Sequence, residues 1–246
     1  MNKIISFITA STLVLMITFS GMGQTLKPKM KFEDQPRTHN AHIATDGNYY
    51  YTVNGGLAYQ GQISKFSLTG NYITSYDIDL DMRSIMYNAK DKSFYLCTYD
   101  RNIYKITDME RGKYELVLSQ LYEENQASLA FSLDGKYVYY FNDGTLKIYS
   151  FPKGKLVKMF TGIDRGGDFI AGSCAVAVDG KYFYTWNADY LILNAYDLKK
   201  GKKVKSVTIA KGDYGPSLSF ANGLVFVSHD GNYETGEWYG YDLWTE

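Results

Sequence analysis

From residue 41 onward, short runs rich in aromatic and β-branched residues alternate with glycine-bearing turns. Outside the N-terminal 23 residues, no stretch keeps the apolar spacing of a helix. The clearest unit is residues 128–162, SLAFSLDGKYVYYFNDGTLKIYSFPKGKLVKMFTG. Residues 128–133 predict a short inner strand, and Asp134-Gly135 is a favoured two-residue hairpin turn. Residues 136–142 predict a second strand, Asp143-Gly144 a second turn and residues 145–151 a third strand. Pro152-Lys153-Gly154 turns again, and residues 156–162 predict an outer strand. Four short antiparallel strands on tight turns make one propeller blade.

The same phrase recurs. Its first turn falls at Asp46-Gly47, Asp91-Lys92, Asp134-Gly135, Asp179-Gly180 and Asn222-Gly223, in steps of 45, 43, 45 and 43 residues. A fixed period of this size is the mark of a repeat architecture. The fifth repeat ends at Glu246 after three strands, the third of them expected over residues 239–244. The segment Lys27–Glu33 precedes the first repeat and belongs to none. Pairing it with the last strand would complete a fifth blade and leave no unpaired edge between first and last. The fold class expected is therefore all-β, a five-bladed propeller spanning residues 24–246 and closed by its N-terminal strand.

The string LAFSLDGKYVYYFNDGTLKIYSFPKGK resembles the YVTN-type and WD-repeat-like propellers of exported bacterial proteins. The inner-strand AFSLDG, the following KYVYYFN and the ending KGK carry the resemblance, which extends at repeat level over residues 41–246. The Trp-Asp dipeptide is absent, and Tyr196-Asp197 and Tyr241-Asp242 stand in its place. The resemblance implies a propeller and no single activity.

Composition narrows the setting. Lys3, the uncharged run Ile4–Phe19 and Gly21-Met22-Gly23 read as a secretory leader cleaved before Gln24. The apolar run of 16 residues is short for a membrane span of about 20. The expected location is therefore secreted or periplasmic. Without the leader the chain carries 25 basic and 26 acidic residues, which leaves no electrostatic footprint for nucleic acid or an anionic membrane. Cys97 and Cys174 fall in the second and fourth repeats, which are not neighbours in a five-unit ring; two separate buried thiols are expected.

Scaffold-held loops concentrate function. In a propeller, the loops leading into the inner strands share one face with those between second and third strands. That face would carry His39, Asn40 and His42 from the first blade, Arg83 from the second and Glu124 from the third. The fourth adds Arg165 and Asp168, and the fifth Asp213 and Tyr214. Between second and third strands lie Tyr59, Arg101, Asn187 and Asp189, and the long hairpin loop with His229, Asn232, Tyr233 and Trp238.

Polar groups among aromatic rings suit a protein or glycan ligand. The inner strands carry no carboxylate, so a lyase or glycoside hydrolase, the enzymatic alternative, would draw its acids from loops, as with Glu124 and Asp168. No cofactor is expected. The histidines lack metal spacing, although His39, His42 and His229 belong to adjacent blades. Asp77, Asp79 and Asp81 alternate as exposed outer-strand charges would, and Asp230, Asn232 and Glu234 only approach a calcium-loop pattern. Residues 162–172, GIDRGGDFIAG, are glycine-rich but precede a strand, so they read as a connector rather than a phosphate loop.

Overall fold

The computed structural model describes residues 25–165 and 174–244. The expected leader and Asp168 lie outside the described residues, as does most of the glycine-rich connector.

Among the described residues, twenty strands form five four-stranded antiparallel sheets. The first blade is β2 (His39–Thr45), β3 (Tyr49–Gly55), β4 (Gln62–Ser67) and β5 (Tyr72–Asp77). The second is β6 (Met82–Asn88), β7 (Ser93–Thr98), β8 (Ile103–Asp108) and β9 (Lys113–Leu118). The third is β10 (Ala130–Phe131), β11 (Tyr137–Asn142), β12 (Thr145–Ser150) and β13 (Lys155–Phe160). The fourth is β14 (Ala177–Val178), β15 (Tyr182–Asn187), β16 (Ile192–Asp197) and β17 (Lys203–Thr208). The fifth joins β18 (Tyr214–Ala221), β19 (Leu224–His229) and β20 (Glu237–Tyr241) to β1 (Met30–Glu33). This is a five-bladed β-propeller.

The N-terminal strand closes the ring as expected, with Met30 opposite Gly240 and Glu33 opposite Glu237. Its partner begins earlier than residue 239, because Glu237 and Trp238 pair within β20. Asp77 ends β5, whereas Asp79 and Asp81 lie in the connection to β6 rather than on an outer strand.

The repeated turn has a physical basis. Gly47, Gly135, Gly180 and Gly223 hold φ between +64° and +90°, and Lys92 holds +53° in the repeat that lacks glycine. The turn carboxylate also does structural work: Asp46 and Asp179 accept backbone amides, and each takes a hydroxyl from a second-strand tyrosine, Tyr51 and Tyr184. Tyr95 binds Asp91 in the same way.

Five apolar clusters lie between successive blades, each built from facing sheet surfaces. Neighbouring blades are joined around the ring by serine hydroxyls. Leu129 N–H donates to Ser84, Ile43 N–H to Ser219, and Ser228 donates to the Asn40 carbonyl. Ser128 donates to the carbonyls of Arg83 and Pro216, tying the third blade to the second and fifth at the loop face. Cys97 and Cys174 are both buried and not joined in a disulfide, in one apolar cluster between the second and third blades.

Candidate functional site

Several residues expected on an open binding face instead hold the ring shut. Asn40 and Trp238 are fully buried. Both donate to the Asp34 carboxylate, at 2.9 and 2.7 Å, and Thr52 adds a third bond at 3.1 Å. Arg37 faces the same carboxylate at 3.2 Å with both side chains buried, and it also donates to Ser64. Burial lowers the Arg37 pKa, and the Asp34 charge opposes that shift. Asn40 and Trp238 are thus corrected from ligand contacts to parts of a latch between the first and fifth blades. Gly236 packs on the Asn40 amide where a Cβ would collide. The latch escaped the sequence reading because Asp34 and Trp238 stand 204 residues apart.

Two imidazole–carboxylate pairs occupy the same rim. His39 Nδ1 lies 2.7 Å from Asp230 and its ring stacks on Tyr214, with centroids 5.5 Å apart. His229 Nδ1 pairs with Asp213. Asp230 N–H donates to Asp213 at 3.0 Å, so the two pairs are contiguous. Asp230 also accepts the amides of Asn40 and Asn232, which uses it as a turn acceptor rather than a calcium ligand. Among the described residues, no three His, Cys, Asp or Glu side chains are placed to hold a metal ion. His42 does not join His39 and His229 at the rim; it is buried in the channel wall.

Arg83 is also buried. Its guanidinium pairs with Asp81 at 3.2 Å, covers the Tyr99 ring at 5.0 Å and crosses Gly55, where a side chain would collide. Asp81 in turn accepts the Gly56 amide. Tyr214 is near Asp230, Arg83 and Asp81, and burial drives its hydroxyl pKa upward.

The exposed part of the loop face carries a ring of tyrosines. Tyr59, Tyr99, Tyr190 and Tyr233 expose 73, 40, 70 and 59% of their surface. Each lies between the second and third strands of its blade, and only the tight Asp143-Gly144 turn of the third blade breaks the series. Tyr233 stands out on left-handed backbone, φ +76°, pinned by its amide to the Arg37 carbonyl at 2.7 Å. Tyr99 and Tyr190 were missed by the sequence reading; superimposing the repeats at this loop would have found them. Of the other expected residues, Asp189 is exposed, and Asn187 accepts the Tyr190 amide. Arg165 pairs with Asp143 at 3.1 Å. Glu124 accepts the Gln126 amide, which shapes its own loop. Arg101 borders a shallow polar depression of about 470 Å³ beside Tyr99 and Glu123.

At the opposite end, where the first-to-second-strand turns gather, the channel widens into a cavity of about 300 Å³ lined by residues of all five inner strands or the turns that follow them. Its wall is mainly apolar, and His42 lies in it.

No protein-family model and no curated protein matches this sequence. Among solved structures, the glutaminyl cyclase of Myxococcus xanthus superimposes with a TM-score of 0.59 at 10% identity, over 89% of this chain and 99% of that one. At that identity the likeness is one of fold. No helix among the described residues is long and apolar enough to cross a membrane.

Proposed function

We propose that the chain is an exported propeller that binds a protein partner across its loop face. The observation that carries this reading is the ring of four exposed tyrosines, one from the equivalent loop of four blades. Tyrosine offers a large contact area for little loss of side-chain freedom and is common at binding hot spots. The rings are spread around the rim, which suits a broad partner surface better than a single sugar, since a sugar needs rings converging on one cleft. The polar pairs between them, His39–Asp230, His229–Asp213 and Arg83–Asp81, supply hydrogen-bonding groups already held in place. The repeat phrase supports a place among YVTN-type propellers, and the N-terminal run supports export.

A second reading rests on the two imidazole–carboxylate pairs. A carboxylate that fixes Nδ1 turns Nε2 outward, as proton transfer requires. This favours a loop-face lyase or hydrolase.

The test is capture from the native envelope fraction on immobilised mature protein, beside the triple variant Tyr59→Ala, Tyr190→Ala, Tyr233→Ala. A partner retained by the wild type and lost by the variant is the expected result. Binding to a glycan panel with the same loss would move the reading to carbohydrate. Turnover of a glycan that disappears in His229→Gln would establish the enzyme instead.

A further inference from the structure

The cavity at the turn-face end of the channel plays no part in the loop-face reading. It opens among Gly47, Leu133 and Asn222, and Leu133 stands 63% exposed at its mouth. Inward, the Ser128 bonds to Arg83 and Pro216 draw the blades together, so the open end is the turn face. Ile85, Met86, Phe131, Val178 and Phe220 supply apolar wall from four blades, and His42 completes it from the first.

Four polar side chains at the rim are already engaged. Thr45 donates to the Tyr49 carbonyl, Asp46 accepts two amides and the Tyr51 hydroxyl, Ser132 donates to Asp134, and Asn222 donates to Tyr50. His42 differs. It is 4% exposed, and neither ring nitrogen has a hydrogen-bond partner. The Ile85 main chain approaches the ring without forming a bond of hydrogen-bonding geometry. Such a group is costly to bury unpaired, and an unpaired group calls for an explanation. Burial keeps the imidazole neutral by lowering its pKa to about 3, so it offers one donor and one acceptor. Asp46 is the single charged side chain among the described lining residues, and three hydrogen bonds hold it at the rim. An anionic guest would therefore be desolvated without a counter-ion, and a cationic one would meet only a rim carboxylate whose two oxygens already hold three hydrogen bonds. The inner strands also turn an edge uncovered by any strand toward the channel, which leaves backbone groups for further polar contacts.

We propose that this cavity binds a small uncharged molecule, an apolar ring-sized body carrying one hydrogen-bonding group that meets His42. The ring presents a nitrogen to the guest on rotation about its Cβ–Cγ bond, and the apolar walls hold the remainder.

Three probes of one shape test this: 1-naphthol, naphthalene and 1-naphthoate, titrated into the mature protein with binding followed by fluorescence. The expected result is saturable one-to-one binding of 1-naphthol, about tenfold tighter than naphthalene, with 1-naphthoate weakest. Val178→Trp fills the cavity and abolishes binding of all three. His42→Phe brings 1-naphthol down to the affinity of naphthalene. Should that variant not fold, the ¹⁵N shifts of the wild-type His42 ring decide, because they move on saturation only if the ring meets the hydroxyl. Absence of saturable binding, naphthoate binding as tightly as naphthol, indifference to Val178→Trp or an unmoved His42 signal overturns the proposal. Substituting Tyr59, Tyr190 and Tyr233 leaves this binding unchanged, so it stands or fails separately from the loop-face reading.

Discussion

Asp34 carries the heaviest structural duty of any carboxylate in the latch. Its oxygens serve Asn40, Thr52, Trp238 and Arg37, and it is 1% exposed. Replacing it by alanine leaves the buried Arg37 without its counter-charge, and breaking a buried pair this way costs about 3–5 kcal/mol. Urea unfolding of Asp34→Ala will show that loss. A change under about 1 kcal/mol would mean that water replaces the carboxylate. His42 makes an opposite kind of prediction, through protons. In the unfolded chain it titrates near about 6.5, and in the fold burial lowers it to about 3. Between those values the unfolded state binds the extra proton, so stability declines as pH drops through this window, by about 1.4 kcal/mol per unit. Between pH 6.5 and 4.5 the wild type will therefore lose about 2–3 kcal/mol that His42→Phe does not lose. Parallel acid limbs for the two proteins would refute it. Neither role was legible in sequence. Asp34 follows the Lys27–Glu33 segment with no motif to mark it, and His42 read as a loop residue although it lies one strand position past a bulge in β2.

At the scale of the element, legibility followed local chemistry. The hairpin turns were visible because Asp, Asn and Gly act on their own neighbours, and even Asp91-Lys92 keeps the left-handed turn without glycine. Inner strands of the third and fourth blades shrink to two residues, Ala130–Phe131 and Ala177–Val178; just ahead of the first, the Ser128 amide donates to the Cys174 carbonyl of the fourth blade and the Leu129 amide to Ser84 of the second. The start of β20 was missed for a related reason: Glu237 and Trp238 look like loop until β1 lies beside them. β1 itself is the element most exposed to test. It contributes four paired residues and Phe32, which packs on Phe66 at 5.0 Å and on Tyr50 at 6.0 Å in the cluster joining the fifth and first blades. Truncating Phe32 to alanine costs about 3–5 kcal/mol by the usual cavity argument. Deleting residues 24–34 removes the ring's anchor, the latch carboxylate and the strand together, so Tm falls by more than about 10 °C. Unchanged melting of the truncated chain would show that the blades close without a clasp.

The whole ring brings together residues that the repeat order keeps apart. Cys97 and Cys174 come from the second and fourth blades, yet both enter the apolar cluster beneath Tyr122, and each is close enough to raise the other's thiol pKa or be raised by it. Burial pushes Cys97 to about 11 and Cys174 to about 12. A thiolate is the reactive form, so at pH 8 neither residue presents one to a reagent. Reaction then requires the blades to part, and a ring stapled by serine bonds and a single clasp has to open as a unit for that to happen. Labelling with dithiobis(nitrobenzoate) will therefore proceed at one common rate for both cysteines, which rises with urea in step with loss of the circular dichroism signal. In the chain lacking residues 24–34 the common rate will rise at every urea concentration, because the fifth blade has lost its outer strand and opening costs less. Rapid modification of one thiol while the other stays protected would mean that a blade swings out alone, and that the ring is held blade by blade rather than by its closure.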